Sequence, residues 1–533
     1  LVDLLKDGSR HFSGVEESVL RNIEACNDLS NIVRTSLGPN GMKKMVINHL
    51  EKLFVTSDAA TIMKELEVVH PAAKMIVLAS KQMALEIGDN TNLVVILCGE
   101  LLQQAASLIF QGLHTSDIIT GYNKALEKSL EFLEGLAVDT VTDVTDIEQI
   151  QKSLKSAITS KVYGWESIIA PLVAQACIHI LPTNRNDFVV DNIRICKILG
   201  GGVSDSCLIK GFALPKDTEG SIKHVKNAVI AVFGGPLEAS KSETKGTVLL
   251  TNADDLLNYS KGEEQIMEES IKAIADSGAN VIVAGGAVSS LALHYCERYN
   301  IMVIKESSKF QLRRICKATG ACGLLRLGKP SPEELGSCDE CSVDEIGSTK
   351  VTVFRNSSEK CKVSTILIRG STSNILDDVE RAIDNAVNVF KATIRDGRLV
   401  AGAGAVQIEL AKLLQPVGEA SPGLDQYAIN KFAESLQIIP RTLAENAGLD
   451  ATALVTSLVA SHQQGNDKDG IDVDEGCVKS AVDLGVFDLL VGIHWALKLA
   501  ADTAVTVLQV DQIIMAKTAG GPKMPQMGSR DAQ

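Results

Sequence analysis

Between residues 15 and 36, apolar side chains recur at Val15, Val19, Ile23, Ala25, Leu29, Ile32 and Val33, the spacing of one helix face. The helix stops at Leu37-Gly38-Pro39-Asn40-Gly41. Glycine there supplies a positive φ and proline cannot continue a helix, so this is a turn by its chemistry. Met42–Ile47 resumes as a short helix or strand, and Phe54-Val55 reads as strand before the polar triplet Thr56-Ser57-Asp58. Residues 61–87 are helical with a break at His70-Pro71. Gly88-Asp89-Asn90-Thr91-Asn92 then opens the apolar run Leu93-Val94-Val95-Ile96-Leu97, and two long helices joined at Gly112 and Thr115 carry the chain to about residue 136.

The pattern changes in the middle of the chain. Residues 137–165 read as a helical linker after Thr140-Val141-Thr142-Asp143, Asp191–Leu199 alternates like a strand, and Gly200-Gly201-Gly202 is a hinge-like break. From about 208 to 361, strands at Ala228–Phe233 and Ala279–Val283 alternate with helices, including an amphipathic one at Phe310–Ala318. That alternation implies a parallel or mixed sheet. Residues 252–275, charged with a thin apolar stripe, read as a protruding or solvated helical segment. Thr365–Gly370 is a strand, Asp377–Phe390 a helix, and Val400-Ala401-Gly402-Ala403-Gly404-Ala405 a glycine turn opening a helix with Glu409. The remainder reads as helix to about Val510, then a short strand at Gln512–Met515. Two helical ends bracket an α/β middle, which predicts that the first and last thirds pack as one discontinuous domain.

A chain of 533 residues exceeds one typical core and predicts about three domains. Its composition, 45% hydrophobic and 22% charged, is that of a globular protein. The formal charge of -14 argues against nucleic acid or an anionic membrane as partner. No apolar stretch of membrane-spanning length lacks polar interruption, so the chain reads as soluble and cytoplasmic. The 12 cysteines lie mostly inside apolar segments, as reduced buried thiols do. Cys338-Asp339-Glu340-Cys341 has no second pair at zinc spacing and reads as incidental.

Three of the turns carry candidate chemistry. Leu37–Gly41, Ser57-Asp58 and Gly88–Asn92 each sit at a helix end, where free backbone N–H groups and the helix dipole favour an anion such as phosphate. Asp89 adds a hard oxygen ligand for a magnesium ion carried by that phosphate. The P-loop pattern GxxxxGK followed by Ser or Thr is absent, so a composite pocket built from distant turns is expected in its place. Helix capping alone also explains such polar starts. Residues 208–361 show no catalytic constellation, which points to a binding surface there. It weighs against the alternative of a free-standing nucleotide-binding phosphohydrolase.

In order and spacing these turns resemble the group II chaperonins, and among them the eukaryotic cytosolic chaperonin. The motifs are Leu37–Gly41 with Met42-Lys43-Lys44-Met45, Thr56–Ile62, Gly88–Asn92, Ile366–Gly370, Glu380-Arg381-Ala382, and Gly402–Gly404 with Glu409. Met45-Val46-Ile47-Asn48-His49-Leu50, Ala59, and Ala516-Lys517 before Gly520-Gly521-Pro522-Lys523 resemble one paralogous line in particular.

The resemblance implies an α/β multidomain fold. It consists of a mostly helical discontinuous equatorial domain (1–138 and 400–533), a small α/β intermediate domain (139–207 and 362–399), and an α/β apical domain (208–361). The apical domain would carry a lid protrusion near 240–270 and a substrate-facing helix bearing Phe310, Leu312, Arg313, Arg314 and Ile315. It implies a subunit of an ATP-dependent double ring, eight-membered and hetero-oligomeric, that folds non-native cytosolic proteins such as actin and tubulin. ATP with Mg2+ would meet Leu37, Gly38, Pro39, Gly41, Asp89 (the metal ligand), Asn90, Thr91, Asn92, Lys161, Gly402, Gly404 and Asp488, the last near the ribose. Asp58 would help position the attacking water.

The chain departs from the family pattern in places. Gly-Asp-Gly-Thr-Thr is here Gly88-Asp89-Asn90-Thr91-Asn92, which puts Asn90 where a positive φ favours glycine. The usual triple glycine is Gly402-Ala403-Gly404. The family's catalytic aspartate corresponds to Asn385, and an amide cannot accept the proton of water as a carboxylate does. Asp384 lies about 100° round the helix and is expected to point elsewhere. A subunit that binds nucleotide and turns it over slowly or not at all follows as the expectation.

Overall fold

The computed structural model describes residues 10–11, 15–238, 253–358 and 361–515. The expected lid tip in 239–252 and the tail motif from Ala516 to Lys523 lie outside those residues.

Thr91–Phe110 is apolar nearly all round, and a helix of that kind must be enclosed. Val15–Arg34, Pro71–Glu86, Thr115–Gly135, Ala405–Ala420, Asp425–Leu436 and Leu490–Leu508 supply the surrounding helices. Together they make one apolar core drawn from both ends of the chain, running from Val19 to Val144 and from Ala392 to Leu508. The largest buried polar side chain inside it is paired: the Tyr122 hydroxyl donates to the Leu101 carbonyl at 2.8 Å, and its ring meets Phe432 edge-on at 5.7 Å. Thr91–Phe110 and Leu490–Leu508 are long and apolar enough to cross a membrane, yet both are core helices packed on each other. The chain's two ends meet in a short antiparallel pair, Arg10–His11 against Ile514–Met515.

The middle of the chain builds one mixed sheet. Its strands run Ile193–Leu199, Ser364–Gly370, Cys207–Leu214, Thr349–Arg355, Gly336–Ile346, His224–Phe233, Val281–Ala284 and Met302–Lys305, with Gly323–Leu324 on His224–Phe233. Cys207–Leu214 pairs with Ser364–Gly370 through its first half and with Thr349–Arg355 through its second. The changeover falls at Gly211, whose φ is 131° and where a Cβ would stand 2.0 Å from the Phe354 carbonyl oxygen. Only glycine fits there.

Three sequence expectations change. Residues 252–275 are not simply a solvated arm: in helix Ala253–Ala275, Met267, Ile271 and Ile274 are buried against Ala279, Ile282 and Cys296. The thin apolar stripe is a core face. Residues 464–489 are not helix but a hairpin, Asp469–Asp472 with Cys477–Ser480, followed by strand Phe487–Leu489. Gly465, Gly476 and Gly485 at positive φ break the helical run, and the Asp472 carboxylate accepts the Asp474 and Glu475 amides to close the turn. In helix Lys309–Thr319, Leu312 and Ile315 face the apolar core, because positions three and four apart share a helix face with Ala318 and Thr319. Phe310 (71% exposed) and Arg313 face solvent, and Arg314 is half-buried. The CxxC cysteines are buried free thiols, and burial pushes Cys338 up to about 12.

Candidate functional site

The Leu37–Gly41 turn is fixed from several sides. Gly38 has φ 84°, and a Cβ on it would lie 2.6 Å from Leu443. Asn446 donates to the Arg34 and Leu37 carbonyls at 3.1 and 2.8 Å, fastening the turn to the other end of the chain. The second turn caps helix Ala59–Glu65. Asp58 Oδ2 accepts from the Thr61 amide and hydroxyl at 2.9 and 2.8 Å, while Oδ1 accepts from Lys161 Nζ at 3.0 Å and Thr91 Oγ1 at 3.3 Å. At the third turn Asn90 adopts φ 61°, as its replacement of glycine predicts, and Thr91 opens the central helix.

Asn92 joins all three. Its Nδ2 donates to the Ser36 carbonyl at 3.1 Å and the Ser57 carbonyl at 3.2 Å, and its Oδ1 accepts the Ala59 amide at 3.0 Å. The amide is therefore spent on other turns, and Asn92 shapes the cleft rather than offering it a free hydrogen-bonding group. Thr91 likewise spends its hydroxyl on Asp58 and is buried.

From the far end of the chain come Gly402-Ala403-Gly404 and Asp488. The Gly402 amide donates to the Val486 carbonyl at 3.0 Å, and Asp488 pairs in register with Val400. The hairpin docks on this turn through the Ile471 amide, which donates to the Ala403 carbonyl at 3.1 Å. The result is a cleft of about 340 Å³, a size that suits a nucleotide. Leu37, Gly38, Pro39, Asn90, Asn92, Lys161, Gly404 and Asp488 line it. Asp58, Asp89 and Thr91 stand behind that lining, linked to it through Lys161, Asn90 and Asp488. Gly41 continues the Gly38 turn through its amide bond to the Gly38 carbonyl. Helix Ser373–Arg395 leans on the third turn, since a Cβ on Gly88 would touch the Asn388 Cβ at 2.4 Å. Asn385, three residues earlier, shares that helix face; its Nδ2 is buried with no hydrogen-bond partner among the described residues. Asp384 is exposed instead.

The site carries surplus negative charge. Burial alone would raise Asp58, but the Lys161 charge and the bonds from Thr61 and Lys161 outweigh it and hold Asp58 at about 2. Burial raises Asp89, with Asp58 adding to the rise against Lys161 and the Asn90 amide. Burial and the charge of Asp89 push Asp488 up to about 7. Asp58 and Asp89 both feel the Lys161 ammonium, Asp488 feels only Asp89, and a hard divalent cation beside Asp89 would relieve that charge. The residues fit magnesium.

Sequence reading missed the hairpin wall of Ile471, Asp472, Val473 and Asp474, together with Tyr163 and Glu166. The glycines around the hairpin carried a signal; Tyr163 and Glu166 carried none.

Compared with known proteins, the sequence matches the TCP-1/cpn60 chaperonin family over residues 29–518. The chain belongs to that family. It is 54% identical over 532 residues to T-complex protein 1 subunit theta of Dictyostelium discoideum, covering 100% of this chain and 99% of that protein. The theta subunits of Arabidopsis thaliana (53% over 523 residues, 98% of this chain and 95% of that one) and Homo sapiens (52% over 530 residues, 99% and 96%) are similar. Theta is the paralogous line that Met45–Leu50 and Ala59 resemble. As a chaperonin chain it serves ATP-dependent protein folding, and the alternative of a free-standing phosphohydrolase falls away.

Proposed function

We propose that this chaperonin chain holds ATP and Mg2+ in the cleft between its two helical ends and contributes little hydrolysis of its own. The observation that carries the reading is the convergence of Gly38, Asn90, Lys161, Gly404 and Asp488 on one cleft, with an amide, Asn385, on the helix that leans on the Gly88 turn. Asp89 is the residue to hold magnesium, which supplies charge neutralisation at the phosphates when bound. The Gly38–Gly41 turn lets the backbone approach the phosphates with Asn90 beside it, Lys161 and Asp58 stand at the terminal phosphate, and Gly402, Gly404 and Asp488 stand on the nucleoside side. Without a carboxylate at 385, no side chain there takes the proton of the attacking water.

The finer assignments belong to the same proposal. The helical core formed by both chain ends is the equatorial domain, the strands at 193–199 and 364–370 with helix 373–395 are the intermediate domain, and the sheet beyond Gly211 is the apical domain. Phe310, Arg313 and Arg314 present a mixed apolar and cationic face for non-native clients such as actin and tubulin. The setting is a cytosolic double ring with eight paralogous positions per ring. Equilibrium titration of the full chain with ADP and Mg2+ tests the cleft: Asp89→Ala should abolish the magnesium dependence of binding, and unchanged dependence would overturn the metal assignment. Asn385→Asp should raise single-chain turnover by about 10²–10⁴-fold; no gain would count against the slow-turnover reading. Native mass measurement should find the chain in particles many chain masses in size.

A further inference from the structure

One carboxylate oxygen at the cleft has no task. Glu166, the first residue of helix Glu166–His179, lines the cleft, and its Oε2 is buried with no hydrogen-bond partner among the described residues. A buried acceptor left unpaired is costly, the more so when charged, so its partner is expected from outside the chain. Tyr163 stands beside it. The phenol donates to Asp474 Oδ1 at 2.8 Å, which ties the loop carrying Lys161 to the hairpin wall across the cleft. The charges of Glu166 and Asp472 both act on that phenol, so the three acidic groups gather at one place. Around them Ile439, Leu443, Ile471, Val473, Leu484 and Val486 give the apolar walls that a planar ring needs.

A carboxylate repels phosphate, so Glu166 must face a hydrogen-bond donor of the ligand. A nucleoside triphosphate has few donors, namely the ribose hydroxyls and the exocyclic amine of the base. Asp488, on its own strand, is the carboxylate on the ribose side in the proposed reading. The geometry points to Glu166 as the base-selecting residue of the cleft, its free oxygen accepting from the 6-amino group of adenine and turning away purines that carry a 6-oxo acceptor there. The inference rests on the cleft being the nucleotide site. It adds a discrimination that the phosphate turns cannot supply, because they see the same triphosphate whichever base is attached.

The test is isothermal titration of the full chain with ADP and with inosine diphosphate, which carries an oxo acceptor in place of the 6-amine and an N–H donor in place of the N1 acceptor. A hydrogen bond to a charged group is worth roughly 1.5–3 kcal/mol, so the wild-type chain should favour ADP by about 10–100-fold. Glu166→Ala should weaken ADP by that factor and inosine diphosphate by much less. Glu166→Gln, whose amide can donate as well as accept, should bring the two ligands within about threefold of each other. Equal losses for both ligands in Glu166→Ala, or an undiminished preference in Glu166→Gln, would overturn the assignment while leaving the cleft a nucleotide site. A wild-type chain that binds neither ligand would overturn the nucleotide reading itself.

Discussion

Asn92 gives the sharpest test of how the cleft is held. Its side-chain amide is buried and makes bonds of 3.1 and 3.2 Å to the Ser36 and Ser57 carbonyls and 3.0 Å from the Ala59 amide. Asn92→Ala removes these and strands two carbonyls and one N–H. Each stranded buried group costs about 1–3 kcal/mol, but the vacated volume admits water that recovers part of it, so the net loss should be about 2–4 kcal/mol. In a multidomain chain a global melting temperature would blur this, and local opening is the better measure. Hydrogen exchange read by mass spectrometry should show the segments around Ala59 and Thr35–Met42 exchanging about 30- to 1000-fold faster, since each 1.4 kcal/mol is tenfold. Asn92→Asp is the discriminating control. It keeps the size and the acceptor for Ala59 but aims a carboxylate oxygen at two carbonyls, close to Asp58. It should therefore exchange at least as fast as the alanine variant at neutral pH and recover on acidification. If Asn92→Asp behaves like wild type, or if Asn92→Ala leaves the Ala59 amide protected, the amide does not hold these turns together.

Three other predictions concern charge and backbone. Lys161→Met leaves the buried Asp58 carboxylate without its ammonium and should destabilise the chain by about 3–5 kcal/mol, measurable by urea denaturation; Lys161→Met/Asp58→Asn should recover much of it. Ala403 sits at φ 55°, a left-handed conformation that costs a Cβ-bearing residue about 1–2 kcal/mol, so Ala403→Gly should stabilise by about 0.5–1 kcal/mol after the extra freedom of the unfolded glycine is counted. Asp488 has a folded pKa raised to about 7, so its proton is held in the folded state after the unfolded chain has released its own. Its contribution to stability therefore falls as pH rises from about 4 to 7 and stays low above that. Asp488→Asn should flatten that slope in nucleotide-free chain and be the more stable form at pH 8; a parallel pH profile would refute the assignment.

Much of the cleft was legible from the chain alone, because local chemistry dictates it. Gly38 and Pro39 must turn, Asp58 caps a helix whose first turn has free N–H groups, and the run after Asn92 is too apolar to lie anywhere but in a core. The positive φ at Asn90 could be read from a residue type that tolerates it. The substitution at Asn385 was visible as well, since a missing carboxylate is a matter of identity and not of geometry. Tertiary structure decided which bonds these residues make. Asn92 spends its amide on turns that come some 35 and 56 residues earlier, at Ser57 and Ser36. Leu312 and Ile315 turn inward because the sheet beneath them, not their helix, sets which face is covered. The hairpin at 469–480 and the carboxylate of Glu166 reach the cleft only because residues hundreds of positions apart pack into one core. Periodicity records which side of an element is apolar, but the partner that covers it is fixed by long-range packing, and a polar group's job is settled only when that partner arrives.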